Sequence, residues 1–162
     1  VYLDANGAAS ITPNDADNGS ADNCPIDYLA TSDSAFSCAD AGLTLNLELY
    51  AFDPSGNSDT AGFSVTVLDT TSPIVFAIDT TIYLDASGNA AITVTQIDSA
   101  SSDNCNIASR VLSDSTFDCT EVGINNITLT VTDVNGNVSV VSSVVTVIDS
   151  RAGLLSEVNC FT

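Results

Sequence analysis

The sequence contains no histidine, lysine, methionine or tryptophan, and its only cationic side chains are Arg110 and Arg151. Each absence removes a class of chemistry. Without His or Lys there is no Ser-His-Asp or Cys-His nucleophile, no Schiff base and no imidazole-bound metal. With 21 acidic residues against two basic ones the formal net charge is −19. Such a chain repels phosphate backbones, which excludes nucleic acid and anionic lipid as partners. No apolar run is long enough to insert in a membrane and no signal peptide is present, as expected of a piece from inside a longer exported protein. No glycine-rich loop follows a strand and opens a helix, so nucleotide binding has no motif to rest on. Paired carboxylates can serve a glycosidase or an aspartic protease. Here, however, Asp59-Thr60-Ala61-Gly62 is a single faint protease-like motif without a second copy. The reading is a non-enzyme with no catalytic residues.

What is present is apolar enough to fold: 44% of the 162 residues are hydrophobic, so this is no disordered acidic tail. The dominant feature is an internal repeat. Tyr2-Leu3-Asp4-Ala5-Asn6-Gly7 returns 81 positions later as Tyr83-Leu84-Asp85-Ala86-Ser87-Gly88, and Asp22-Asn23-Cys24 returns as Asp103-Asn104-Cys105. Past Gly42/Gly123 the shift becomes 80, with Asp53-Pro54-Ser55-Gly56-Asn57 matched by Asp133-Val134-Asn135-Gly136-Asn137. Leu43, Leu45, Leu47 and Leu49 alternate with polar residues, as do Ile127, Leu129 and Val131; that period of two marks half-buried strands. Further strands are expected at Ile26–Thr31, Gly62–Leu68, Ile74–Ile78, Ala90–Thr95, Ile107–Leu112 and Val138–Val147, separated by Asn-Gly and Ser-Gly turns. No sustained helical stripe occurs. The expected fold is all-β: two tandem Ig-like antiparallel β-sandwich repeats of about 80 residues. Residues 1–69 form repeat one, 70–149 repeat two, and 150–162 a linker or first strand of a following repeat.

A module of this size has a marginal core, and cysteines are placed to staple it. Cys24/Cys38 and Cys105/Cys119 share a separation of 14, and closing such a loop stabilises a module by ~3 kcal/mol in the chain-entropy model. Repetition of pair and spacing favours two disulfides, hence an oxidising extracellular location, over buried free thiols. Cys160 has no counterpart.

The repeat is cut out of register. Thr70–Ile82 supplies the first strand of repeat two, whereas Val1 already corresponds to Ile82, so repeat one lacks that segment. Residues 150–162 follow Asp149 as Thr70–Ile82 follows Asp69, and Leu154, Leu155 and Val158 fall at the offsets of Ile74, Val75 and Ile78. The expected partner is therefore a further copy of the repeat, in the same chain or in a head-to-tail polymer joined by strand donation. A frayed terminus is the plainer alternative.

Eighteen of the acidic residues are Asp, clustered in loops. Recurrence at equivalent positions singles out Asp17, Asp22, Asp53 and Asp69 with Asp98, Asp103, Asp133 and Asp149 as candidate ligands for Ca²⁺, which takes six to eight hard oxygens from flexible loops. Asp69 stands at the module junction, where a cation could stiffen the linker. Asp133-Val134-Asn135-Gly136-Asn137 resembles the start of a calcium loop but lacks the downstream Glu; a hairpin turn explains it equally well. Solvated carboxylates and turn caps are the alternatives throughout.

Leu84-Asp85-Ala86-Ser87-Gly88-Asn89-Ala90, Asp103-Asn104-Cys105-Asn106-Ile107, Phe117-Asp118-Cys119, Val131-Thr132-Asp133-Val134-Asn135-Gly136-Asn137 and the linker Asp69-Thr70-Thr71-Ser72-Pro73 together resemble HYR-like, immunoglobulin-type tandem repeats. Such repeats occur in giant surface adhesins of Bacteroidetes-type bacteria, including gliding-motility adhesins. The resemblance covers nearly all of residues 1–149; past that point Ser150-Arg151-Ala152-Gly153 replaces the linker. It implies a stalk, adhesin or filament at the cell surface. In that group Asp-Ser/Thr followed by a small or apolar residue resembles an O-glycosylation acceptor, which marks Ser34, Thr60, Thr70, Thr80, Ser99 and Ser115; plain abundance of these residue types is the alternative. A rival function is a calcium-dependent glycan-binding or accessory module of a secreted protein. A surface glycan is then the partner, and Tyr28 and Tyr50, aromatic in the first copy alone, are the platform to inspect.

Overall fold

A computed structural model describes residues 1–150 of the chain; apart from Ser150, the expected terminal strand at 150–162 lies outside the described residues. The chain divides into two compact all-β units, the first spanning Val1–Thr71 and the second beginning at Ser72. The first holds β1 (Ala8–Ser10), α1 (Pro13–Ala16), β2 (Tyr28–Thr31), β3 (Ala35–Ser37), β4 (Thr44–Phe52) and β5 (Ser58–Thr66). The second repeats the plan with β6 (Thr80–Tyr83), β7 (Asn89–Ala91), α2 (Val94–Ile97), β8 (Ile107–Leu112), β9 (Thr116–Asp118), β10 (Gly123–Asp133) and β11 (Val138–Ile148).

In the second unit β6-β11-β10-β8 form one sheet and β7-β9 a short facing pair. The period of two in β10 puts Ile127, Leu129, Val131 and Asp133 inward, and β11 adds Val145 and Val147. These meet Phe117 from β9 and Ile92 and Ile97 from around α2, closing one core. Alternating strands that bury one face each against the other sheet make a β-sandwich. The hairpin joining β10 to β11 runs through Gly136 at φ 94°, a conformation that costs glycine nothing and other residues strain. The first unit has the same hairpin, β4 against β5 with β2 on the far side, and the same short pair, β1 with β3.

Three features differ from the sequence-based expectation. The pairing is not wholly antiparallel: β6 runs parallel to β11, with Val145 opposite Thr80 and Ile148 opposite Tyr83, and Tyr2 bridges Leu68 in the same sense in the first unit. The strand expected over Ala90–Thr95 ends at Ala91, because Thr93 and Gln96 form a capping box that opens the single turn α2. Thr12 and Asp15 do the same for α1. Finally, Ile74–Ile78 is no laddered strand but an extended segment held by two bridges, Ile74 to Ser102 and Ala77 to Asp98.

The units are unequally filled. Among the described residues the buried apolar side chains number five in the first (Leu3, Phe36, Leu49, Val65, Val67) and eleven in the second. Leu47, Ala51 and Ala16 are only half-buried where their counterparts Ile127, Val131 and Ile97 are 2%, 0% and 0% exposed. The second unit covers this face with its own segment, since Val75 and Ala77 pack against the core. The first has no such segment among its residues.

Candidate metal centre

Asp103 and Asp133 are the two candidate ligands that the second unit brings together, with carboxylate oxygens within 4.8 Å of each other. Asp133 ends β10, where the register shifts by one residue against β8, and is 2% exposed. Its Oδ1 accepts hydrogen bonds from the Asn135 and Asn137 amides (2.9 and 2.8 Å) and its Oδ2 from the Asn137 side chain (2.7 Å). Asp103 lies in the loop leading into β8. Its Oδ2 accepts from the Cys105 and Asn106 amides (2.9 and 3.3 Å). Its Oδ1 is buried with no hydrogen-bond partner. A buried, unmet carboxylate oxygen beside a second carboxylate is costly in the absence of a cation. The donor set is hard oxygen throughout, so these residues fit Ca²⁺ better than a soft metal.

The loop is also strained. Asn106 has φ 125° and Ala100 φ 97°; the first is tolerated in Asn, the second is costly in Ala. Asp98, the third candidate here, anchors the same loop: its Oδ1 accepts from the Ser101 amide at 3.0 Å and from the Ser101 hydroxyl. Its Oδ2 pairs with Arg110 Nε at 2.6 Å, the carboxylate being 12% exposed. Burial alone pushes the Asp98 carboxyl up, but the Ser101 bonds and the Arg110 guanidinium outweigh it and hold the group below its ordinary value. Asp98 is thus an ion-pair and turn residue.

The equivalents in the first unit have different surroundings. Asp53 caps its hairpin as Asp133 does, accepting from the Asn57 amide (2.8 Å) and side chain (2.7 Å), bonds that lower its carboxyl, the side-chain one most. Asp22 is exposed, with one bond from the Cys24 amide at 3.3 Å. Asp17 is half-buried and closes the turn after α1 by accepting from Ser20, which lowers it. Leu29 stands where the second unit has Arg110, so Asp17 has no guanidinium of that kind. Asp69 is 8% exposed and accepts from the Thr71 amide at 3.0 Å. Asp149 is half-buried just after β11.

The cysteines correct the expected pairing. Cys38, Cys105 and Cys119 are disulfide-bonded, but Cys24 is a free, exposed thiol, so the Cys24–Cys38 pair is not formed. The two equivalent loops also differ in their surroundings. Cys105 is 2% exposed beneath a loop pinned to Ile74 and Phe76, with Ile74 N–H to Ser102 O at 2.8 Å and Phe76 N–H to Ser101 Oγ at 3.1 Å. The matching run Asn18–Pro25 is exposed along its whole length and has no such anchor.

Of the candidate acceptor hydroxyls, Ser34, Thr60, Thr70, Ser99 and Ser115 are exposed and Thr80, within β6, is half-buried. Tyr28 stacks on Phe52 with ring centroids 4.4 Å apart and 13° between planes, which leaves one face of an otherwise exposed ring. The Tyr50 hydroxyl donates to Glu48. Among the described residues no helix is long and apolar enough to cross a membrane.

No family model and no curated protein matches the chain. Solved structures with a loosely similar course include PcdhgB3 EC1-4, at 11% identity and TM-score 0.37, over 67% of this chain and 33% of that one. Human mucin-like protocadherin EC1-2 is 16% identical at TM-score 0.38, over 74% and 76%. Mouse clustered PcdhgC3 EC1-3 is 13% identical at TM-score 0.36, over 74% and 50%. The chain thus spans a third of the first of these. The likeness is distant, and the fold stands on the strand pairing and burial above.

Proposed function

We propose that the chain is a non-catalytic structural repeat of an extracellular surface adhesin, stalk or filament, in which β-sandwich units run in series and copies meet head to tail. One observation carries this. A single β-sandwich module occurs twice in series, and in the second copy an extended segment ahead of its first laddered strand covers the core, with Val75 and Ala77 packed on it. The resemblance to HYR-like surface repeats supports the same setting, as do the disulfide-bonded cysteines. Dense negative charge keeps neighbouring stalks apart and soluble.

Calcium belongs to this reading as a stiffener. The Asp103–Asp133 pair supplies two of the hard oxygens a Ca²⁺ ion needs, and the ion removes the repulsion between them. Calorimetric titration after chelation tests it, with heat of binding and a higher melting temperature expected. Identical melting in EDTA and in excess Ca²⁺ rejects the ion.

Electron microscopy of the purified chain over a range of concentrations tests the assembly. Threads with one regular axial repeat are the expected image; isolated compact particles at every concentration overturn it. The rival glycan reading draws on the stacked Tyr28–Phe52 pair. Sugar binding lost in a Tyr28→Ala variant would favour it.

A further inference from the structure

Beside the hairpin of β4 and β5 the first unit carries an open groove of about 440 Å³, walled by Ser20, Ala21 and Ile26 and floored by Leu49, Ala51 and Ala61. The second unit identifies what such a groove is for. At the equivalent place Ile74 exchanges backbone hydrogen bonds with Ser102 at 2.8 and 3.0 Å, and Ile78 N–H donates to Ile97 O at 2.9 Å. Ser143 Oγ donates to Ile78 O, and Val144 N–H to Asp79 Oδ1, both at 2.8 Å. Shifted back by one repeat, the matching backbone groups belong to Ala21, Ala16 and Ser64, while Phe63 replaces Ser143 and has no hydroxyl to donate. The edge is already shaped for a strand: Gly19 has φ 99° where its counterpart Ala100 has φ 97°, so the turn beside the groove has the conformation found in the second unit, where a strand is docked.

We propose that this groove is an acceptor site for residues 150–162 of a second copy of the chain, entering as an extended strand and burying Cys24 as it does so. The proposal rests on the head-to-tail reading above and supplies its contact surface. Three observations select this occupant. First, the segment follows Asp149 in the register in which Thr70–Ile82 follows Asp69, so Leu155 takes the position of Val75. Second, the volumes complement: Ala51 and Ala61 stand where the second unit has Val131 and Val141, and the smaller floor makes room for Leu in place of Val. Third, Arg151, one of two cations in a chain of net charge −19, arrives beside a groove lined by Asp22, Asp53 and Asp59. One residue is ill-matched: Glu157 takes the position of Ala77, which packs against the core in the second unit.

The test uses the full chain and a synthetic peptide of residues 150–162, reading the rate at which iodoacetamide alkylates Cys24. Saturating peptide is expected to slow alkylation about tenfold or more, because a covered thiol reacts only when the site opens. A Glu157→Ala peptide is expected to protect at lower concentration, and a Leu155→Asp peptide to protect not at all. Unchanged alkylation at saturating peptide, or equal protection by Leu155→Asp, overturns the proposal. Failure here separates cleanly from failure of the filament reading. Threads in which Cys24 stays fully reactive reject the groove and keep the filament; single particles in which the peptide protects Cys24 reject the filament and keep the groove.

Discussion

At the scale of single residues the two copies serve as each other's controls. Gly19 and Ala100 occupy one turn at nearly one φ, 99° and 97°, but only glycine does so without a clash between Cβ and its own backbone. Ala100→Gly is therefore expected to stabilise the second unit by roughly 0.5–1 kcal/mol, the released strain less the added chain entropy. Gly19→Ala should cost the first unit a similar amount, since its Cβ would meet nothing within 4 Å and strain alone remains. Urea midpoints for the two variants check both signs together. Arg110 offers a second comparison. The Asp98 carboxyl is held below its ordinary 3.8, so the stability it contributes is complete above that value and disappears as pH falls through the lowered one. Arg110→Ala removes part of that depression. A loss of about 1 kcal/mol is expected at neutral pH, for a partly exposed charge-assisted bond, with wild type and variant converging below the folded-state value. An equal loss at every pH from 2 to 7 (about that range suffices) would show that Arg110 acts through packing of its stem instead.

At the scale of elements the decisive piece is the extended segment Ile74–Asp79, which is present once for two modules. Val75 is its anchor on the core, and Val75→Asp puts an unpaired carboxylate against that apolar cluster. The expected cost is about 2–4 kcal/mol, with loss of hydrogen-exchange protection at the Ile74 and Ser102 amides that the segment ties together. Protection that survives the substitution would mean the two bridges hold without the side chain, and the covering role assigned to this segment would be wrong. How far such elements can be read from sequence depends on the range of the interactions behind them. The β4–β5 and β10–β11 hairpins were legible because alternation and a Gly-containing turn are local signals. The helical turns were missed although their capping boxes, Thr12-x-x-Asp15 and Thr93-x-x-Gln96, stand in the sequence; four residues are too few to show a period of 3.6. The parallel pairing of β6 with β11 joins residues 65 apart, and no local pattern announces it. The Asp103–Asp133 pair was half legible: both residues were singled out by recurrence, but Asp17 and Asp53 recur equally and are turn caps. Only burial separates them. The free state of Cys24 shows the same limit, because a shared spacing does not tell which cysteine finds a partner.

At the scale of the whole chain two units of one design carry five and eleven buried apolar side chains among the described residues. Hydrophobic burial is the leading stabilising contribution and scales with area, so the first unit should be the weaker by several kcal/mol, well beyond what differences in single hydrogen bonds restore. Calorimetry of the full chain should accordingly resolve two transitions, the lower one assigned to the first unit by alkylation of Cys24 and of the core-facing backbone in pulsed exchange. Two effectors then act on different transitions. On the proposed reading, Ca²⁺ at the folded Asp103–Asp133 pair should raise the upper transition, by about 2.7 kcal/mol at a hundredfold excess over the dissociation constant. The 150–162 peptide, if it fills the groove of the first unit as proposed, should raise the lower one. If the chain instead melts in a single step that moves with neither Ca²⁺ nor peptide, neither the carboxylate pair nor the groove of the first unit is a binding site. If each effector moves only its own transition, a strand docked in the groove adds stability where fewer apolar side chains are buried, and the weaker unit becomes the one whose folding depends on its neighbour.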